Sequence, residues 1–210
     1  MEDVYIVGAG GFAREVFAWA SQHPECGARW RLAGFLDDNP KALDGFDLPV
    51  AVVGSIRDHQ PKPNELLLLG LGLPKAKRAC VESLQARGGH FLSLIHPSAV
   101  LGQRITLGDG VVICPGVIVT CDVRIGSYAM LNCHATVGHD ALVSDYTTLS
   151  GHVDLTGHVQ VGAEVFFGSR ASVIPGKRVG DAAVVGAGAV VIRDVPTGST
   201  VFGNPARVIA

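Results

Sequence analysis

The stretch LNCHATVGHD, Leu131 to Asp140, carries two histidines five residues apart, His134 and His139, with Asp140 directly after the second. A neutral imidazole is a suitable general base near pH 7, and an adjacent carboxylate fixes its tautomer and stabilises the imidazolium that forms. The same spacing also suits two zinc ligands, for which a third protein ligand and a water would complete a tetrahedron. A second cluster lies near the N-terminus. GAGGFARE, Gly8 to Glu15, follows an apolar run and its first six residues fit G-x-G-x-x-A. Such glycines let backbone N–H groups approach a pyrophosphate at a helix start, although a tight strand-to-helix turn needs glycine for steric reasons alone. Asp37 and Asp38 end the next apolar run and can accept hydrogen bonds from ribose hydroxyls or a base N–H.

The elements that must hold these residues fall into two textures. From Val4 to about Leu94, apolar runs alternate with amphipathic segments: VYIVG, FAREVFAWASQ, RLAGFLDD, NELLLLGLG and PKAKRACVESLQARG. The pattern predicts βαββαβ, a small Rossmann-like parallel α/β sheet. At about 90 residues it is too small for two mononucleotide halves, so it suits one nucleotide diphosphate better than NAD.

After HPSA the helix signals vanish and a six-residue period takes over, running from AVLGQR to AVVIRD. Its third position, from Ile95 to Val191, is apolar without exception. At even odds per position that has a chance of about one in 10⁵. The fourth position is mostly Gly, Ser, Thr, Asn or Cys, as expected where a chain turns a tight corner. One apolar side chain per hexad is therefore expected to point inward. Strands this short cannot bury a face alone and must stack as a parallel β-helix. The hexad resembles that of hexapeptide-repeat acyltransferases, whose β-helix is left-handed with three hexads per coil. In that frame residue n lies beneath n+18 at about 4.8 Å. His134 then sits beneath His152, Asp140 beneath His158, and His139 beneath Gly157.

Composition narrows the function classes. The 210 residues are 48% hydrophobic and 17% charged, with a net charge of -2 and scattered Lys and Arg. Nucleic acid and anionic membrane are poor partners for such a surface, and a small solute is a better one. Five cysteines without a CxxC pair fit reduced thiols. There is no signal-peptide pattern, and LLLLGLGL is too short to span a bilayer, so a cytoplasmic protein without membrane insertion is expected.

Taken in order, GAGGxxxE, FLDD, a GxGxP-type strand end, HP, the unbroken hexads with NCHATVGHD, and GNPARVI resemble one family over nearly the whole chain. It is the sialic-acid O-acetyltransferase-like family, which includes the UDP-4-amino-sugar N-acetyltransferases of the bacillosamine pathway. The resemblance implies an acetyl-CoA-dependent enzyme, without a metal, that N-acetylates a UDP-4-amino-4,6-dideoxy sugar; O-acetylation of a sialic acid or other sugar hydroxyl is the alternative. It implies a nucleotide-sugar domain over residues 1–92, a left-handed β-helix acyltransferase domain over 93–195, and a tail, 196–210, that completes the acetyl-CoA site. It also implies a homotrimer with active sites between subunits. Carried over, His139 is the general base, with Asp140 beside it, in a direct ternary-complex transfer. The nucleotide sugar falls to Gly10, Gly11, Phe12, Asp37, Asp38, Gly72 and Lys75. Acetyl-CoA falls to Thr148, His152, Ser169, Gly186, Ala187, Asn204, Pro205 and Arg207. There is a departure: many relatives carry histidine where Thr148 stands and Pro-Gly at Gly151 and His152. Either His152 takes over that contact or the thioester is held differently.

Three rival functions compete. Gamma-class carbonic anhydrases share the hexapeptide repeat and the H-x4-H spacing, but their third histidine lies about two coils earlier, where this chain has Ser98, so His152 or His158 would have to substitute in an unfamiliar arrangement. A non-catalytic nucleotide-sugar sensor or scaffold would not need His139 and Asp140. An NAD-linked oxidoreductase rests on GAGGFA alone.

Overall fold

A computed structural model describes residues 1–209. The N-terminal part is a four-stranded parallel sheet made of β1 (Glu2–Val7), β2 (Trp30–Leu36), β3 (Val52–Gly54) and β4 (Glu65–Leu69), in the order β3-β2-β1-β4. Helix α1 (Gly11–Ser21) joins β1 to β2, and α2 (Pro74–Gln85) follows β4. α1 buries Ala13, Val16, Phe17 and Ala20, the single apolar stripe of an amphipathic helix. β3 adds a short edge strand to the expected pattern, too short for periodicity to reveal. The strand expected after α2 is reduced to one bridge between Leu67 and Phe91. The chain steps outward from β1 to β3, then returns to the other side of β1 for β4. The crevice beyond the carboxyl ends of β1 and β4 is thus a topological switch point, where open α/β sheets bind ligands.

From Leu94 the chain winds a left-handed β-helix of two-residue strands. Its first face runs from Leu94–Ile95 to Val184–Val185, its second from Val100–Leu101 to Val190–Val191, and its third from Thr106–Leu107 to Arg178–Val179. Pairing in this repeat is parallel and in n to n+18 register, so Leu131 pairs with Ile113 below and Leu149 above. The tail adds Thr200–Phe202 and an antiparallel Arg207–Val208 to the first face.

The coil departs from the expected hexad in two ways. Two side chains per hexad point inward: the third position, and also the first, where Val117, Val123, Ala129, Ala135, Ala141 and Val153 are buried. A wholly buried Val or Leu contributes about 1.5–3 kcal/mol, so both rows build the core. The tight corner lies at the sixth position rather than the fourth. Asp122, Tyr128, His134, Asp140, Tyr146, His152 and His158 all have φ of 58° or 59°. This left-handed backbone costs about 1–2 kcal/mol for a residue with a side chain. It turns each corner N–H onto the coil below, as when Asp140 donates to the Cys121 carbonyl at 3.1 Å and His158 to that of His139 at 2.8 Å. Fourth-position glycines answer a different constraint, close approach of the next coil. A Cβ on Gly138 would lie 2.6 Å from the Thr156 backbone, and one on Gly168 2.5 Å from the Ala187 nitrogen.

Successive sixth positions form three columns, one along each edge of the prism. The docking corner, with Tyr128, Tyr146 and Glu164, faces α2. Gln85 donates to the Tyr128 hydroxyl at 2.6 Å, and Arg78 pairs with Glu164 at 2.5 Å. The imidazole corner holds His134, His152 and Arg170, and the carboxylate corner holds Asp122, Asp140 and His158.

Between α2 and the first face lies Lys77, wholly buried, donating to Thr148 Oγ1 at 3.0 Å and the Thr147 carbonyl at 3.3 Å. Burial pushes its amine down to about 7 from 10.5. In the unfolded chain the amine still titrates near 10.5, so between pH 7 and 10.5 the unfolded state binds the extra proton. Stability from this group therefore rises with pH across that window and is lost as pH falls to about 7. Lys77→Met removes the penalty without orphaning either acceptor. Thr148 still donates to the Gly72 carbonyl, and the Thr147 carbonyl still accepts from Met130. In urea denaturation at pH 7, Lys77→Met is expected to match wild type or exceed it by about 1 kcal/mol or more. The difference should shrink toward pH 10.

Candidate active site

His139 precedes the left-handed residue Asp140 at the carboxylate corner, between the strands Thr136–Val137 and Leu142–Val143. Its Nδ1 lies 2.8 Å from Asp140 Oδ2. A Nδ1–H donated to that carboxylate leaves the lone pair on Nε2. The ring lies over the next coil at Gly157, where a Cβ would sit 2.6 Å from Nε2. Glycine there is what leaves room for the imidazole. One coil up, His158 stands edge-on to His139 with ring centroids 5.0 Å apart, and its Nε2 is 3.8 Å from the same Asp140 oxygen. All three side chains are about half exposed. One coil down, Arg104 holds Asp122 through two bonds of 2.6 and 2.7 Å, and this guanidinium keeps the Asp122 carboxyl below its ordinary range.

The acetyl-CoA candidates divide into groups. His152, Ser169 and Ala187 lie exposed along the imidazole corner, where His152 stacks on His134 with centroids 5.1 Å apart. Gly186 lies beneath the Phe202 ring. Asn204 and Pro205, joined by a cis peptide bond, are exposed in the tail. Arg207 lines a hollow of about 160 Å³ with Val191 and Arg193. Thr148 stands apart. It is buried under α2 at the junction between the two halves, its hydroxyl donating to the Gly72 carbonyl at 2.8 Å and accepting from Lys77. His139 and the imidazole corner flank the second face and do not meet within one chain.

In the same imidazole-corner column as Ser169 and Ala187 lies Cys133. A hydrogen bond with Cys114 brings its thiol down to about 7 against the effect of burial, while burial pushes Cys114 well up.

At the switch point the glycines sort by what a side chain would meet. A Cβ on Gly70 would lie 2.6 Å from the Ala13 Cβ, and Gly8 needs its φ of 92°. Gly10, at the N-cap of α1, and Gly72 meet nothing within 4 Å, and Gly11 meets only Arg14 at 3.9 Å. Internal packing does not demand glycine at these three positions, and their backbone lines open space beside a helix start. Phe12 packs edge-on to Trp19. Asp37 accepts within the turn from the Ala9 N–H at 2.8 Å and the Asn39 N–H at 2.9 Å. Asp38 accepts from the Arg57 N–H at 3.0 Å, which lowers its pKa. Lys75 lines a cleft of about 590 Å³ between the start of α2 and Phe166 and Val184 of the first face.

Comparison with known proteins follows the same division. Residues 3–84 match the PglD N-terminal domain, and residues 101–121 and 158–193 match the hexapeptide repeat of succinyl-transferase. Along its whole length the chain superposes on perosamine N-acetyltransferase from Caulobacter crescentus, solved with CoA and GDP-perosamine, covering 98% of that chain at 31% identity and a TM-score of 0.89. The chain belongs to the hexapeptide-repeat sugar acyltransferase family. The acetyltransferase domain of PglB from Neisseria gonorrhoeae, solved with acetyl coenzyme A, is similar at 27% identity and a TM-score of 0.89, with 99% of each chain covered. A 2,3,4,5-tetrahydropyridine-2,6-dicarboxylate N-acetyltransferase of Staphylococcus aureus is 50% identical over 46 residues, which is 22% of this chain. The matched segment spans only 19% to 27% of the length of such curated relatives.

Two residues of the site region carry no role in the sequence argument for an acetyltransferase. His158 stands out in the sequence only as the n+18 neighbour of Asp140 and, with His152, as a substitute third zinc ligand in an unfamiliar arrangement. Lys77 lies on the buried stripe Pro74, Lys77, Val81, Leu84, whose 3-4-3 spacing would have marked it.

The glycine sorting has a direct check by thermal or urea unfolding. Gly70→Ala is expected to cost about 1–3 kcal/mol through overpacking. Gly10→Ala and Gly72→Ala should stay within about 1 kcal/mol of wild type, on either side.

Proposed function

We propose that the chain transfers the acetyl group of acetyl-CoA to the amino group of a nucleotide-linked sugar, with a UDP-4-amino-4,6-dideoxy sugar as first choice. The observation that carries this reading is the full-length likeness to an N-acetyltransferase whose structure holds CoA and a nucleotide sugar. The open backbone at Gly10, Gly11 and Gly72 supports it as a place for the sugar nucleotide's phosphates. The hydrogen-bonded His139–Asp140 pair supports it as the base.

In this mechanism the acceptor nitrogen attacks the thioester carbon while His139 Nε2 takes its proton. Asp140 stabilises the imidazolium at Nδ1. The carbon–sulfur bond then breaks, and CoA leaves as the thiol by taking up a proton. Transfer is direct, without an acyl-enzyme on Cys133 or Cys121. His139 and the imidazole corner lie on different edges of the prism, so the complete site forms where the carboxylate corner of one copy meets the imidazole corner of the next, in a homotrimer.

His139→Ala is expected to lower kcat by about 10²–10⁴ with acetyl-CoA binding unchanged by calorimetry, whereas Cys133→Ala retains turnover. A loss smaller than tenfold would reject His139 as base. The acceptor is decided by mass spectrometry of acetyl-CoA reactions with UDP-amino-sugars, GDP-perosamine and free sialic acid. A 42 Da gain on a 4-amino sugar is expected, and acetylation of a sialic acid hydroxyl instead would overturn the amine assignment. For the shared site, His139→Ala and Ala187→Trp chains, each inactive alone, should regain activity when refolded together. No recovery in mixed oligomers would place the whole site within one chain.

A further inference from the structure

The carboxylate corner gathers three metal-ligating side chains. Asp140 Oδ2 is 2.8 Å from His139 Nδ1 and 3.8 Å from His158 Nε2, and one ligand atom from each residue lies within 4.8 Å of the others. Two imidazoles and a carboxylate are a donor set for zinc and its first-row neighbours, with room for water at an exposed corner. The backbone beneath them is fixed. Asp140 and His158 occupy the same corner position in consecutive coils, each held by its N–H bond to the coil below, and Gly157 leaves His139 room to lie beside His158.

Charge points the same way. Asp122, one coil down, is matched by Arg104, but no lysine or arginine among the described residues comes within ion-pair distance of Asp140. Arg104 acts on Asp140 only from a distance and Arg124 lines the same hollow without pairing to it, so the direct partners of this carboxylate are the two imidazoles, beside which a divalent cation would supply a close positive charge.

We infer that His139, Asp140 and His158 form a site for a divalent transition metal, with zinc as its reference ion, and that occupation switches the base off. Whichever nitrogen of His139 the metal takes, no ring lone pair remains for the acceptor's proton. Bound through Nε2, the metal takes that lone pair itself; bound through Nδ1, it sends the ring proton to Nε2. The inhibition rests on His139 being the base, while the binding does not.

The test titrates untagged, EDTA-treated full-length protein with zinc chloride by calorimetry and measures turnover at the same free zinc, each variant normalised to its own metal-free rate. Asparagine tolerates the left-handed corner, so His158→Asn is the informative variant. Wild type is expected to bind one zinc per chain, and His158→Asn to bind it at least about tenfold more weakly. His152→Ala, in the imidazole corner, should bind as wild type does. Wild-type turnover should fall as zinc saturates, and normalised His158→Asn turnover should persist at that concentration. Zinc binding retained in both His139→Ala and His158→Asn, or lost in His152→Ala, would overturn the site. Saturation without loss of turnover would overturn the switch. Should His139→Ala prove active, the base assignment fails, and calorimetry still decides the metal site.

Discussion

The structure depends on one constraint, that residue n of the β-helix lies one strand spacing beneath n+18. The strands of each coil satisfy their backbone groups through the coils above and below, as Leu131 does through Ile113 and Leu149. That spacing leaves no room for a Cβ at Gly138 or Gly168, and it stacks the third positions and most of the first into one continuous core. The spacing departs from 18 only at the last coil, where Val184 pairs with Thr200 and Val185 with Val201 as the chain passes into the tail.

The same constraint turns corners into columns. The sixth position bends with positive φ from Arg104 to Gly188, but its side chain points outward and is free to vary. The docking corner uses tyrosines and Glu164 to hold α2. The imidazole corner carries His134, His152 and Arg170, and the carboxylate corner carries Asp122, Asp140 and His158. A rigid scaffold thus presents three different chemistries along three parallel edges, each held to the coil below by backbone hydrogen bonds. Such support keeps His139 and Asp140 in place without a loop that must close.

The N-terminal sheet meets the β-helix through a junction that is polar at its centre. Lys77 and Thr148 are both buried there, with the Thr148 hydroxyl bridging to Gly72. The junction therefore ties the first face to the loop after β4, which is one wall of the switch-point crevice. Asp37 ties the other wall by binding Ala9. The open backbone at Gly10 and Gly72 is thus held from both sides by side-chain hydrogen bonds.

Much of this was legible in the amino-acid order. An apolar third position repeated from Ile95 to Val191 requires a stacked coil, and arithmetic on that coil brings His158 to Asp140 and Gly157 to His139. Local alternation predicts the parallel sheet, and glycine spacing predicts its turn. What periodicity cannot express is which dihedral makes a corner, since His, Asp and Tyr have no common signature for positive φ. It also cannot say whether a polar group is spent internally. Asp37 and Thr148 are ligand candidates in sequence, and the tertiary structure gives the first hydrogen bonds within the turn and the second hydrogen bonds at the junction. The sequence alone determined the repeat, because hydrophobic burial acts on every hexad alike. Only the tertiary structure decided which polar groups stay open to a ligand, because that depends on contacts between residues far apart in the chain, such as Ala9 with Asp37 and Gly72 with Thr148.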